Sequence, residues 1–127
     1  MLKDTFFRIV SNTSSGSLSE SFSVTAELMA GHEIYNGHFP GNPVAPGVCL
    51  IQMIKEALED TIGKKLILQS SDNIKFMAIV TPAETQMLTF SFSACRMLDD
   101  NTLQAAIQIS SGEKIFMKCK NRYQIIS

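Results

Sequence analysis

The stretch that decides the fold reads His38-Phe39-Pro40-Gly41-Asn42-Pro43-Val44-Ala45-Pro46-Gly47-Val48. Residues 31–47 contain four glycines and three prolines, a density at which no helix or strand persists. A long constrained loop in a small domain is usually functional. We therefore predict a functional loop that brings the imidazole of His38 close to the start of the next element.

That next element is predicted to be a helix over residues 48–62. Pro46 stands where the start of a helix tolerates proline, and Gly63 is a typical helix end. Apolar side chains cover much of the helix circumference, which is the pattern of a helix in the middle of a core. The segment is too short to cross a bilayer, which takes about 20 apolar residues.

The rest of the chain has the periodicity of strands. The segments lie at residues 6–10, 22–27, 66–69, 74–80, 87–97, 102–110 and 114–126. Turn-forming sequences at 99–101 and 111–113 predict hairpins. We expect an α+β fold in which five or six antiparallel strands wrap around one central helix, within a single domain over residues 1–127.

Composition excludes several classes of protein. Among 127 residues there are 11 Lys and Arg against 12 Asp and Glu, so the basic excess of a nucleic-acid-binding protein is missing. Charged side chains interrupt the apolar N-terminal run, which predicts neither a signal peptide nor a membrane span. Three cysteines without a C-x-x-C pair favour free thiols in a reducing cytoplasm and no zinc site.

The predicted helix start can do chemistry on a carbonyl group. Its first N–H groups, near Gly47 and Val48, are free to donate to an oxygen that gains negative charge. Gly47 has no side chain, so a substrate can approach its backbone closely. A base beside such an oxyanion site suits the removal of a proton from the carbon next to a carbonyl.

The same stretch resembles the H-F-P-G-x-P-x-x-P-G-V signature of the 3-hydroxyacyl-(acyl carrier protein) dehydratases, which have the hot-dog fold. Glu33-Ile-Tyr-Asn-Gly37, and Lys75-Phe76 followed by Pro82, are similar to the flanking motifs of that family. The resemblance covers roughly residues 6–126. It implies a long helix wrapped by an antiparallel sheet. It also implies a dimer with sites built across the interface, and a reaction that needs no metal or other cofactor.

The resemblance also implies roles for individual residues. His38 would remove the Cα proton of a (3R)-3-hydroxyacyl thioester, and the amide of Gly47 would hold the carbonyl oxygen. The acid of the family stands fourteen residues after the histidine, where this chain has Gln52. An amide cannot supply a proton at neutral pH. Glu56, one helical turn further, is the nearest carboxylate that could act directly, through water or by polarising Gln52. It could equally pair with Lys55, Lys64 or solvent.

Several other residues are candidates for binding. We expect Val48, Phe39 and Pro46 to contact the substrate beside Gly47. A further set shares one strand face and would dock an acidic carrier protein or simply face solvent: Lys118, Lys120 and Arg122.

Three functions remain open from the residues. The first is dehydration of 3-hydroxyacyl carrier-protein thioesters in fatty-acid or polyene-type biosynthesis. The second is a thioesterase in which glutamine orients water. The third is a weakened subunit, or an acyl-binding module, that pairs with an active homologue. Cys49 in the first helical turn is either a nucleophile or a small buried apolar residue, and His32 is predicted to be a surface residue.

Overall fold

The computed structural model describes residues 2–14, 20–34 and 44–127. These residues form one helix and one sheet of six strands. The strands are β1 (Phe7–Asn12), β2 (Phe22–Leu28), β3 (Leu66–Phe76), β4 (Met87–Met97), β5 (Thr102–Ser111) and β6 (Lys114–Ile125), and the helix is α1 (Gly47–Ile62). Neighbouring strands are antiparallel, in the order β1-β2-β4-β5-β6-β3. The predicted α+β class is confirmed.

Alternation along the strands builds the core against α1. In β2, Phe22, Val24, Ala26 and Leu28 are buried while the residues between them are half-buried. The ring of Phe22 stacks on that of Phe92 in the neighbouring β4, with centroids 4.6 Å apart. Burial of each of the larger side chains, phenylalanine, valine or leucine, stabilises the fold by about 1.5–3 kcal/mol. The sheet therefore has one apolar face, and that face covers the helix.

The helix begins and ends where the sequence predicts. Pro46 is extended at the N-cap, and Gly63 adopts the left-handed conformation with φ 68°, donating its N–H to the Glu59 carbonyl at 2.8 Å. The expectation of an apolar helix surrounded by core is wrong at two kinds of position. Val48 is 75% exposed because the sheet covers only part of the helix circumference. Two charged residues of the helix, Glu56 and Glu59, are buried.

The segments 66–69 and 74–80 were predicted as two strands, and this is wrong. Residues of both belong to the single strand β3, and the polar residues between them continue it. Asn73 has φ 55°, and the register passes from Asp72↔Lys120 to Lys75↔Lys118, which is one extra residue in β3. A β-bulge therefore absorbs the turn-like sequence. Between β3 and β4, residues 77–86 form no strand, and Val80 makes a single β-bridge with Ala45.

β3 lies at one end of the sheet, so only one of its two edges is paired by the described strands. Several large apolar side chains on this strand and just after it are exposed: Ile67, Ile74, Phe76, Met77 and Ile79. No helix in the described part of the chain has the length and apolar character needed to span a membrane.

Candidate active site

The first turn of α1 has two backbone donors that find no acceptor among the described residues. The N–H groups of Cys49 and Leu50 donate to the Pro46 carbonyl at 2.9 and 3.2 Å. The N–H groups of Gly47 and Val48 have no acceptor among the described residues. Free amides and the positive end of the helix dipole coincide here, so this turn can hold an oxygen that gains negative charge.

Gly47 packs directly against an aromatic ring. A Cβ atom added at Gly47 would lie 3.0 Å from Cζ and 3.1 Å from Cε1 of Phe76. These separations are shorter than ordinary carbon–carbon contacts, so any side chain at position 47 displaces the ring. Phe76 is the last residue of β3 and is half-exposed. The end of the edge strand thus forms one wall next to the free amides.

An apolar cavity of about 350 Å³ opens at the same place. It is lined by residues 44–47, Leu50, Phe76 and residues 78–80. The Ala45 N–H donates to the Val80 carbonyl at 2.7 Å, which ties the segment before the helix to the segment after β3. Pro46 and Gly47, both predicted as substrate contacts, line this cavity, while Val48 points to solvent. The cavity can take an apolar chain whose polar end meets the helix start.

Gln52 and Glu56 form a second polar group in the middle of the helix. Nε2 of Gln52 donates to Oε2 of Glu56 at 2.8 Å, as the i,i+4 spacing predicts. Glu56 is only 2% exposed. Five residues from Gly47 correspond to about 140° of rotation and ~7.5 Å of rise. Gln52 therefore lies on a different face of the helix from Gly47, and neither Gln52 nor Glu56 lines the apolar cavity.

The carboxylate of Glu56 is held by the backbone of the N-terminal segment. The N–H of Leu2 lies 3.0 and 2.9 Å from its two oxygens, and the N–H of Lys3 donates to Oε1 at 2.8 Å. Burial acts to raise the pKa of Glu56, but the hydrogen bonds from Leu2, Gln52 and Lys3 outweigh it, so the pKa lies below its ordinary value. Glu56 is therefore ionised at neutral pH and accepts hydrogen bonds rather than donating a proton.

The hydrogen bonds from the backbone of Leu2 and Lys3 to Glu56 were not predicted from the sequence. Fifty-four residues separate Leu2 from Glu56, and a backbone amide has no sequence signature. An ion pair between Lys3 Nζ and Asp60 Oδ1 at 2.7 Å fixes the same segment to the next turn of the helix. The only hint in the sequence is the spacing of Gln52, Glu56 and Asp60 along one helix.

The remaining candidates divide into three groups. His38 and Phe39 lie outside the described residues. Cys49 is buried, and burial raises the pKa of its thiol, which disfavours the thiolate that a nucleophile needs. His32 is half-buried rather than on the surface, with its ring edge-on to Phe6 at 5.4 Å and its Nδ1 accepting the Ile34 N–H.

The basic row on β6 is exposed as its parity predicts. Lys118, Lys120 and Arg122 alternate with the buried Cys119 and Asn121. Arg122 Nε donates to Gln104 Oε1 at 3.3 Å. Among the described side chains, no group of three or more His, Cys, Asp or Glu is arranged to hold a metal ion.

Solved structures identify the architecture. The dehydratase heterocomplex ApeI:P from Xenorhabdus doucetiae aligns with a TM-score of 0.62 at 14% identity, covering 94% of this chain and 96% of that one. A hypothetical thioesterase with coenzyme A from Streptococcus pneumoniae aligns with a TM-score of 0.63 at 12% identity, covering 95% and 86%. At such low identity these likenesses establish the fold alone, which is the hot-dog fold.

The family follows from sequence. The model of the ApeI-like family, described as ApeI dehydratase, matches residues 14–117. This is more than half of the chain, and the chain therefore belongs to that family. A 3-hydroxyacyl-(acyl-carrier-protein) dehydratase FabZ from Lactococcus lactis is 33% identical over 79 residues, which are 57% of this chain and 52% of the relative. The corresponding protein from Oenococcus oeni is 32% identical over 89 residues, or 65% and 63%. The chain thus spans less than two thirds of these curated relatives.

Proposed function

We propose that this protein dehydrates (3R)-3-hydroxyacyl thioesters, carried by an acyl carrier protein, to trans-2-enoyl thioesters. The observation that carries the proposal is the start of the helix at Gly47, whose amide has no acceptor among the described residues and which lines an apolar cavity, in a chain of a dehydratase family. The amide of Gly47 binds the thioester oxygen and stabilises the negative charge that develops when Cα loses a proton. The setting is fatty-acid or polyene-type biosynthesis.

The elimination balances with one mobile proton. His38 removes the proton from Cα, the bond between C3 and the hydroxyl oxygen breaks, and the double bond forms between C2 and C3. The imidazolium returns the proton to the departing hydroxyl, which leaves as water. Gln52 supplies a hydrogen bond to that hydroxyl and no proton. No external oxidant, reductant or metal enters this balance.

Glu56 acts through Gln52 in this mechanism. Since Nε2 of Gln52 is bound to Glu56, the direction of the amide is fixed, and its second N–H and its carbonyl oxygen are left for the substrate. The buried negative charge polarises the amide. Of the roles open for Glu56, this one fits its position and its lowered pKa. Glu56 is accordingly a positioning residue, and Gln52 is the residue that touches substrate.

We further propose that two protomers build each site. The amides of Gly47 and the side chain of Gln52 lie on different faces of one helix, so one short substrate cannot meet both within a protomer. The free edge of β3 and the exposed side chains of Phe76 and Ile79 offer a surface for a second chain. A dimer would bring Gln52 of one protomer to the cavity of the other.

We propose that the protein acts in the cytoplasm, because its three cysteines are free thiols.

The basic row on β6 is proposed as the docking surface for the carrier protein. Its side chains project from the outer face of the sheet, away from the helix. They belong to the strand beside β3, which ends at Phe76 and the cavity. An acidic partner bound to this face would be close to the site that its acyl group must enter.

The test is incubation of the purified protein with a 3-hydroxyacyl carrier-protein thioester, followed by mass spectrometry of the acyl group. We expect a product lighter by one water molecule, and we expect His38→Ala to lower the rate by ~10³ or more. Release of free hydroxy acid would instead identify a thioesterase. Turnover by His38→Ala at the wild-type rate would refute the assignment of the base.

One observation favours a second candidate, a subunit that works only with an active homologue. Gln52 occupies the position of the family acid, and Glu56 has no proton to give. The aligned ApeI:P structure is a dehydratase heterocomplex. Substrate that binds to the protein but stays unchanged until a homologous dehydratase is added would support this candidate and exclude the self-sufficient enzyme.

A further inference from the structure

His32 is one of two histidines in the chain, and the proposed reaction does not use it. Its ring is half-buried and lies edge-on to the ring of Phe6, with the centroids 5.4 Å apart. Nδ1 of the ring accepts the N–H of Ile34 at 3.1 Å. Because Nδ1 accepts a hydrogen bond, the imidazole is neutral and carries its proton on Nε2. The side chain therefore packs on a core residue and also binds the backbone two residues ahead.

The hydrogen bond from Ile34 to His32 has the spacing of an Asx turn, in which a side-chain oxygen accepts the N–H two residues on. The turn after β4 contains an ordinary bond of this kind, from the N–H of Asn101 to Oδ1 of Asp99 at 2.8 Å. At position 32 a ring nitrogen takes the place of the oxygen. An asparagine at this position would therefore supply an equivalent acceptor.

The residue on which His32 packs is connected to the central helix. Phe6 is fully buried, and its carbonyl accepts the Met29 N–H at 2.8 Å. The N–H of Phe6 donates to the Leu2 carbonyl at 2.8 Å, and the N–H of Leu2 donates in turn to Glu56 on α1. A continuous set of contacts thus leads from α1 to the imidazole.

Ile34 is the last described residue before the stretch that carries His38, which stands four residues further along the chain. The chain is also held just after that stretch, since Val44 is buried and the N–H of Ala45 donates to the Val80 carbonyl at 2.7 Å. A segment held at both ends samples fewer conformations than a free one. A catalytic group misplaced by about 1 Å can lower a rate by ~10². The anchoring of Ile34 therefore matters to the proposed base.

We propose that His32 is a positioning residue for His38. Its Nδ1 holds the N–H of Ile34 and so fixes the point at which the chain enters the stretch that carries the base. This inference rests on the proposed function, in which His38 removes the Cα proton. The reaction requires the acceptor at Nδ1 rather than the aromatic ring, and His32 itself touches neither the substrate nor the reacting atoms.

Two substitutions separate the acceptor from the ring. His32→Asn keeps an acceptor for the Ile34 N–H and loses the packing on Phe6, whereas His32→Phe keeps a ring and loses the acceptor. We expect kcat for dehydration to stay within ~3-fold of wild type in His32→Asn and to fall by ~10-fold in His32→Phe, with KM unchanged in both. Asp99→Ala removes the corresponding bond in the turn after β4, and as the matched control it should keep the wild-type kcat.

A purely structural role for His32 predicts a different order. In that case the variant with the lower melting temperature would also be the slower one, and the loss of packing in His32→Asn would cost as much activity as the loss of the acceptor. Equal values of kcat in the two variants, or values of kcat that follow the melting temperature, would refute the positioning role.

A second measurement needs no turnover. Each of the two variants keeps His38 as its only histidine, so the proton resonances of this imidazole can be compared directly by NMR. We expect the His38 chemical shifts of His32→Asn to match those of wild type, and those of His32→Phe to move toward the values of an unstructured histidine. Identical His38 spectra in the two variants would overturn the proposal even in an active enzyme. The expected difference in a protein that dehydrates nothing would contradict only the proposed function.

Discussion

The start and the middle of the helix differ in whether their polar groups have hydrogen-bond partners. At the start, the amides of Gly47 and Val48 have no partner among the described residues, and Gly47 lines an apolar cavity. In the middle, the carboxylate of Glu56 is buried and receives hydrogen bonds from Leu2, Lys3 and Gln52. Unsatisfied donors can bind a ligand, whereas a saturated acceptor can only orient its neighbours. The comparison assigns binding to the first region and positioning to the second.

The comparison also explains why an acid at position 56 does not replace the acid that the family has at the position of Gln52. A carboxylate at position 56 meets three donors that keep it ionised, and the amide at position 52 is one of these donors. The acid of this chain is therefore held where it cannot transfer a proton. Proton transfer is left to His38 in the proposed mechanism.

The largest effect is expected at the helix start, from Gly47→Ala. The added methyl would lie 3.0 Å from the ring of Phe76, so the ring or the helix start must move and the carbonyl loses its close approach to the amide. We expect kcat/KM to fall by ~10² to 10³, the cost of losing an oxyanion donor. Gly31→Ala is the control, because no atom lies within 4 Å of a Cβ at that position. Equal rates for the two variants would remove Gly47 from the site.

The next effect probes the middle of the helix with Gln52→Glu, which restores the acid of the family. The new carboxyl would lie beside the ionised Glu56, and a like charge so close raises its pKa and keeps it protonated. We expect dehydration to rise by ~10², with the gain lost as the new acid ionises at high pH. Gln52→Met, which removes hydrogen bonding, should lower the rate. An unchanged rate in Gln52→Glu would show that position 52 does not limit the reaction.

The smallest effect concerns stability, through Glu56→Gln. The amide of the new glutamine has an NH₂ group that would face the N–H groups of Leu2, Lys3 and Gln52, which now donate to the carboxylate. We therefore expect the free energy of unfolding to fall by about 1–3 kcal/mol at neutral pH. The pKa of Glu56 is lowered in the folded state. Its contribution is therefore complete at neutral pH and is lost as the pH falls below about 4. Urea unfolding at several pH values should show the two proteins converging in acid.

Asp60→Asn provides the matched exposed carboxylate. Asp60 pairs with Lys3 at 2.7 Å on a partly exposed surface, where an ion pair contributes about 0–1 kcal/mol. A loss in Asp60→Asn as large as that in Glu56→Gln would mean that burial does not distinguish the two carboxylates.

Local patterns predicted the helix and most of the strands. Alternation located β2 and β4, and Pro46 and Gly63 bounded the helix, because these signals depend on backbone preferences of nearby residues. The strand β3 was split in two because Ser70, Ser71, Asp72 and Asn73 have the composition of a turn. Pairing with β6 overrides that preference and leaves a bulge. The bulge depends on this pairing with a distant strand and could not be predicted from the sequence.

The sequence by itself determined the helix start with its glycine, the amide at the position of the family acid, and the apolar periodicity of an α+β fold. Only the tertiary structure decided that Glu56 is ionised and that Phe76 walls Gly47. The physical reason is that the protonation of a buried group and the packing of a ring depend on atoms far along the chain. The amides of Leu2 and Lys3, which hold Glu56, come from such a distant segment.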